Sequence, residues 1–510
     1  MKMKKYYLFL MTAVLALLSS CSKVPEYAKV IPDDAVFVMR IDAKQLAEKS
    51  GIGDNDKAKK QFAKMLKDAD LSRGLQEKME KIIDDPASCG IALDKPMFVY
   101  MAEDGSDMKG GLVGAVRSKG DFTDLLNDLA KESDGDKVKE EKNYSYIEQR
   151  REVLVFTDDW FYFGERKYSD DAEDFADDIC KLFEKDAKGS ILETDEFNKM
   201  CDATGVAQIL INGKGLASMR DTKELEQMMP EGVDLEKASF MLDLTLDKGE
   251  VALMGEVLTD DAGWKKYMAD SDKLMGNISG DLLKYIKKDG LAIFANIDGA
   301  AVYDRLKDLG MMKMVGDDEQ AMVKKVLGSI KGDVAVGFSD IDMQKGIPTA
   351  AFYMQTKDNS IVSVVAQTMD SPLKQKASDQ YTAALPMAGD GASVNFGFKN
   401  NISYISVGQN PKEFDTPSGA FSKSDLKGKK AYAYFGFAIL KKLEGMASGE
   451  EKMAFDALLK LCDYVEFYAE SNSKAVLRLV TKDKNTTPLA SLINYGIETL
   501  DNMQKGESMD

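Results

Sequence analysis

The sequence predicts an α+β protein made of two similar halves related by an internal duplication, each a mostly antiparallel sheet with helices packed on it. Three observations carry that expectation. Strand-like runs come in groups joined by short turns such as Asp247-Lys-Gly249 and Asn472-Ser-Lys474, helical stretches are inserted between the groups, and the order of these units occurs twice.

The first unit is Ile31-Pro-Asp-Asp-Ala-Val-Phe-Val-Met-Arg-Ile-Asp42 leading into a helix over Ala43 to Lys49; it recurs as Ile286 to Asp298 leading into Gly299 to Leu306. Next come Gly90 to Leu93, Pro96 to Met101 and Gly111 to Val116, matched by Asp333 to Phe338 and Thr349 to Met354. Each set is followed by a polar turn, Ser118 to Asp121 or Thr356 to Ser360, and a second helix. Glu152 to Thr157 with Trp160 to Phe163 is matched by Val394 to Phe398 with Ile402 to Val407. A third strand-into-helix unit, Ala207 to Asn212 with Lys214 to Arg220, parallels Ala431 to Phe435 with Ala438 to Leu443. Paired strands close each half, Ser239 to Thr245 with Glu250 to Leu258, and Tyr464 to Glu470 with Ala475 to Thr481. A period near 240 residues is too long for a solenoid, so each half should own a core.

The N-terminus sets the expected location. Lys2, Lys4 and Lys5 precede an apolar run from Tyr6 to Leu18 that is too short to span a bilayer, and Leu18-Ser19-Ser20-Cys21 has the form of a lipobox. The expected layout is a signal peptide over 1–20, lipidated Cys21 and a tether over 21–34, a first half over 35–262, a connection over 263–280, a second half over 281–500 and a polar tail over 501–510. Removing the three lysines leaves the mature chain at about −21 instead of −18. Such a chain repels phosphate backbones and anionic headgroups, which argues against nucleic acid and leaves covalent lipid as the membrane partner.

The absence of histidine from 510 residues removes the Ser-His-Asp triad, the Cys-His pair, His-ligated zinc and proximal-His haem together. Chemistry by carboxylates, Lys, Tyr, Ser or Cys survives; a glycosidase needs only two carboxylates at the right separation. Beyond Cys21, the remaining cysteines are Cys89, Cys180, Cys201 and Cys462. An exported chain permits disulfides, with a link between Cys180 and Cys201 one option and buried free thiols the other. There is no CxxC, so a four-cysteine zinc site is not expected.

Asp42 and Asp298 end strands just before helices, the position of an N-cap. Asp340 to Gly346 opens like a calcium loop but has Lys345 and Ala351 where Gly and Glu are required, so it reads as a hairpin loop. Gly213-Lys-Gly215 lacks phosphate-loop spacing. The run Asp170 to Asp178, with Phe175 and Ile179 four apart, reads as the start of a solvated acidic helix, with a weak Ca2+ site as the sharper alternative. Met228-Met229 and Met311-Met312-Lys-Met314 read as core filling in preference to an adaptable groove or a Cu(I) site. No cofactor or metal is expected.

The lipobox, the short tether and the opening Ile31-Pro-Asp-Asp-Ala-Val-Phe-Val-Met-Arg-Ile-Asp42 resemble an uncharacterised lipoprotein family widespread in gut Bacteroidota. That resemblance implies a lipid-anchored envelope protein of about 500 residues and carries over no catalytic residue. Surface-exposed members of that group show an acidic tag after the acylated cysteine; here Ser22-Lys23-Val24-Pro25 follows, which favours the outer membrane with periplasmic exposure. The leading expectation is a non-enzymatic binding or scaffold protein taking a protein, peptide or glycan in the cleft that duplicated halves create, and the alternative is a carboxylate-dependent, glycosidase-like hydrolase.

Overall fold

The computed structural model describes residues 24–68, 71–104, 107–132, 135–219, 232–343, 345–369, 371–385, 391–409, 411–412, 421–446 and 448–505. The chain divides into two compact units, Met1–Leu246 with Gly496–Asp510, and Asp247–Tyr495.

In the first unit the strands are β1 (Phe37–Ile41), β2 (Met97–Asp104), β3 (Asp107–Ala115), β4 (Lys139–Glu140), β5 (Ser145–Gln149), β6 (Glu152–Phe156), β7 (Trp160–Glu165), β8 (Ala207–Asn212) and β9 (Ser239–Asp247). Their ladders are antiparallel and give the order β4-β5-β6-β7-β3-β2-β1-β8-β9. Helices α1 (Ala43–Ser50), α2 (Lys119–Glu132), α3 (Ala172–Glu184) and α4 (Asp195–Asp202) follow or bridge these strands. Phe98 of β2 packs on Phe197 of α4 at 5.3 Å between ring centroids, and Phe122 of α2 packs on Phe156 at 5.1 Å.

The second unit holds β10 (Glu250–Leu258), β11 (Met275–Gly276), β12 (Leu291–Asp298), β13 (Ile330–Asp342), β14 (Ile347–Thr356), β15 (Lys374–Ala377), β16 (Gln380–Ala384), β17 (Ser393–Lys399), β18 (Ile402–Gly408), β19 (Ala431–Gly436), β20 (Cys462–Ala469) and β21 (Lys474–Thr481). Antiparallel pairing gives β15-β16-β17-β18-β14-β13-β12-β19-β20-β21-β10. Its first nine strands therefore stand in the order found in the first unit. Helices α5 (Ala262–Asp272), α6 (Gly299–Asp308), α7 (Asp317–Ser329) and α8 (Ser360–Thr368) belong here, and α9 (Pro488–Lys505) ends the described chain. The core gathers Leu282, Tyr285, Phe294, Tyr353, Tyr404 and Tyr432, with Tyr285 stacked on Tyr353 at 4.6 Å.

Four expected boundaries move. The first unit ends at Leu246 where 262 was expected, and Glu250–Leu258, expected to close the first half, belongs to the second unit, where it pairs with β21. Of the stretch expected as a tether, Glu26–Val30 is a 3-10 helix whose Ala28 and Val30 are buried, as is Ile31; Ile191 donates its backbone N–H to the Ile31 carbonyl at 2.8 Å. Apolar residues at 28, 30 and 31 draw this segment into the first core. The 263–280 stretch is no bare connection, because it forms most of α5 and β11, which pairs with β12. The last helix runs to Lys505, so 501–505 are helical where a tail was expected. No helix among the described residues is long and apolar enough to cross a membrane.

Candidate functional site

The largest chemical variety meets at a cavity of about 670 Å3 in the first unit, between α3 and the β2, β3 and β7 strands. α3 forms because Asp171 caps it, accepting the Glu173 backbone N–H at 2.9 Å, and because Ala172, Ala176, Ile179 and Phe183 repeat at helical spacing and are buried. Phe183 stacks on Trp160 of β7 at 3.5 Å, which fixes the helix against the sheet. The opposite face lines the cavity rim with Asp174, Asp177, Asp178 and Lys181. Two of these acids are already engaged: Asp177 accepts the Tyr144 hydroxyl at 2.6 Å, and Asp178 pairs with Lys181 at 2.7 Å.

The cavity wall includes Tyr100 of β2 and Tyr162 of β7, both buried, with their hydroxyls 3.0 Å apart. Glycine makes this possible: a Cβ on Gly111 would come within 2.6 Å of the Tyr162 oxygen and 2.7 Å of the Tyr100 ring. Burial pushes the pKa of both phenols up, so they are neutral donors over the physiological range. One hydroxyl donates to the other, and the second proton finds no acceptor among the described residues. That remaining proton is available to a ligand oxygen.

A family profile described as Domain of unknown function (DUF4836) matches residues 27–487. The chain belongs to this family. No curated protein matches it in sequence. Among solved structures, crystal forms I and III of TP0453 are 14% and 13% identical, each at a TM-score of 0.28, covering 48% and 47% of this chain and 82% and 81% of theirs. A putative DNA polymerase III beta subunit from Eubacterium rectale is 7% identical over 90% of both chains at a TM-score of 0.06. Scores this low carry no argument about fold or function.

For this DUF4836 member the other candidates resolve individually. Cys21 and Met228-Met229 lie outside the described residues. Asp42 accepts the Gln45 backbone N–H at 2.9 Å and Asp298 that of Ala301 at 3.3 Å, so both are helix caps. Asp340 to Asp342 end β13 and the chain turns straight into β14, a hairpin. Gly213 and Gly215 open the short helix Gly213–Ser218; a Cβ on either would meet backbone within 2.5 Å, so close packing accounts for them. Met312 is buried while Met311 and Met314 are exposed, which separates their sulfurs. Cys89, Cys180, Cys201 and Cys462 are all free, so no Cys180–Cys201 link forms. Burial raises these thiols, Cys180 to about 11 and Cys201 to about 12, and leaves them unreactive. Among the described residues no three acidic or cysteine side chains converge as a metal site. The sequence places the acidic helix but not the tyrosine pair; the signal available was Gly110-Gly111 on β3, the strand between β2 with Tyr100 and β7 with Tyr162 and Gly164.

Proposed function

We propose that this chain is a lipid-anchored cell-envelope lipoprotein, processed and acylated at Cys21, held at the outer membrane facing the periplasm, and acting by binding and not by catalysis. The single observation carrying the binding reading is the buried tyrosine pair beside a cavity of about 670 Å3, with one phenolic proton left to donate. A peptide carbonyl or a glycan hydroxyl would accept it, and the mixed acids and lysines of the rim would orient the rest of the ligand. Among the described residues the carboxylates whose pKa is displaced, Asp128, Asp270, Asp281, Asp298, Asp340, Asp358 and Asp483, are all held below the usual range, opposite to what a general acid needs. The two halves are read as products of an internal duplication; supporting this are the shared order of nine strands and the matching caps Asp42 and Asp298.

The test is a thermal-shift screen of residues 22–510 against peptides and glycans, repeated with Tyr162→Phe. A shift that Tyr162→Phe removes supports the reading, and ligands that stabilise both forms equally overturn it. For the anchor, the wild type should take up labelled palmitate and Cys21→Ser should not; equal labelling refutes the acylation.

A further inference from the structure

We propose that the β5–β6 turn of the first unit, together with the segment after β7, forms a binding site for the carboxylate of an acidic sugar. This goes beyond the tyrosine cavity and does not depend on it.

Three of the nine arginines in the chain, Arg150, Arg151 and Arg166, lie here, in a protein that draws most of its positive charge from lysine and carries −18 overall. Arginine is the side chain suited to planar oxyanions, because its fork of N–H donors matches a carboxylate. The three have separate roles. Arg166 is a clamp: it binds Glu148 at 2.8 Å through Nε and donates to the Asp170 carbonyl at 2.8 Å and the Arg150 carbonyl at 3.2 Å, so the turn and the loop bearing Tyr168 are tied together. Arg151 pairs with Glu165 at 3.0 Å and lies over the Tyr168 ring at 4.1 Å. Arg150 is exposed, and among the described residues no carboxylate pairs with its guanidinium.

The backbone adds a second, independent observation. Arg150 sits at φ 62°, in the left-handed region. The other described non-glycine residues with positive φ are Asp379, Asn400 and Asn401, types that tolerate it. A two-residue hairpin turn prefers glycine or asparagine at such a position. An exposed arginine at this position, with no carboxylate partner among the described residues, points to use.

The hollow lined by these residues also contains Glu152, Glu165 and Tyr168, and Tyr168 is 84% exposed despite its stacked guanidinium. That mixture selects the ligand. A phosphate, with more charge, would be repelled by the two glutamates and would have no use for an open aromatic ring. A singly charged sugar acid places its carboxylate on Arg150, its ring face on Tyr168 and its hydroxyls on Glu152 and Glu165.

The test is calorimetric titration of residues 22–510 with glucuronate, glucose and inorganic phosphate. The expected result is saturable glucuronate binding, none with glucose, and a loss of about tenfold or more in affinity for Arg150→Gly and Tyr168→Ala. Arg150→Gly relieves the left-handed strain, so it should melt no lower than the parent while losing affinity, which a merely structural role would not give. Tyr162→Phe should leave glucuronate affinity unchanged, which separates this site from the tyrosine cavity. Absence of glucuronate binding, binding insensitive to Arg150→Gly, or phosphate binding as tight as glucuronate would each overturn the proposal.

Discussion

The two units share a strand order but differ between equivalent strands, and the difference locates the candidate site. Between β7 and β8 the first unit inserts residues 166–206, which carry α3 and α4, whereas between β18 and β19 the second has only residues 409–430. The tyrosines follow suit. In the first unit Tyr100 and Tyr162 meet through their hydroxyls beside the large cavity under α3. In the second, Tyr285, Tyr353 and Tyr404 stack face to face, the nearby hollow lined by Tyr285 is only about 30 Å3, and the buried Tyr353 hydroxyl has no partner among the described residues. One scaffold thus spends its aromatic residues on a ligand-sized space in one unit and on core packing in the other.

The buried polar networks differ in the same sense, and breaking them gives the largest effects. In the second unit Glu466 is 4% exposed; it accepts from Tyr432 at 2.7 Å and from the Arg478 Nε at 2.7 Å. Arg478→Met strands that charge and should cost about 3–5 kcal/mol. In the first unit the corresponding device is largely neutral at its centre: Gln208 accepts from Arg40 at 2.5 Å and donates to Asp243 at 2.7 Å. Gln208→Leu should cost less, about 1–3 kcal/mol. The chain has two tryptophans, Trp160 in the first unit and Trp264 in the second, so single-tryptophan variants followed in urea report each unit separately. A larger loss for Gln208→Leu than for Arg478→Met would break the comparison.

A smaller change tests the site itself. Gly111→Ala pushes a methyl into the Tyr100 and Tyr162 rings and should destabilise the first unit by about 1–3 kcal/mol while removing any ligand-induced shift. Gly337→Ala in the second unit meets only Ile286 side-chain carbons from 3.0 Å outward and should be milder by the same urea measurement. Equal costs would mean that the tyrosine pair is not unusually tight.

Much of this architecture was legible in the sequence because strand and cap signals are local. Ala207 to Asn212 was read with the bounds observed for β8, and Asp42 and Asp298 were read as caps, because alternating apolar residues and a carboxylate before a helix each act over a few residues. β5, β15 and β16 leave no such signal: Lys374–Ala377 is exposed along its length and mostly polar, and such an edge strand is set by its neighbour's ladder, not by its own pattern. The tyrosine pair was illegible for a related reason. Tyr100 and Tyr162 lie 62 residues apart and meet only because β2 and β7 both flank β3. The folding of the segment before β1 is equally illegible locally, because its burial depends on contacts with Ser190 and Ile191, far along the chain.

The mildest expected difference is in acid stability. Six of the seven carboxylates held at lowered pKa lie in the second unit: hydrogen bonds from Lys273, Ser279, Lys331, Lys442, Ser360 and Thr486 are the leading causes for Asp270, Asp281, Asp298, Asp340, Asp358 and Asp483 in turn. In the first unit only Asp128, bound by Lys78 and then Lys131, is displaced this way among the described residues. A carboxylate whose folded pKa lies below its unfolded value adds stability above the unfolded value, near pH 4, and loses it as pH falls through the folded one. These groups are largely solvent-exposed, so each contributes little and salt screens it further. Their number still decides the direction. Between about pH 5 and about pH 3 the urea midpoint reported by Trp264, in a Trp160→Phe background, should fall more than that reported by Trp160 in a Trp264→Phe background. An equal or larger fall at Trp160 would show that lysine and hydroxyl pairing does not set the acid limit of the second unit, and would leave the buried Glu466–Arg478 pair as the main electrostatic distinction between the two.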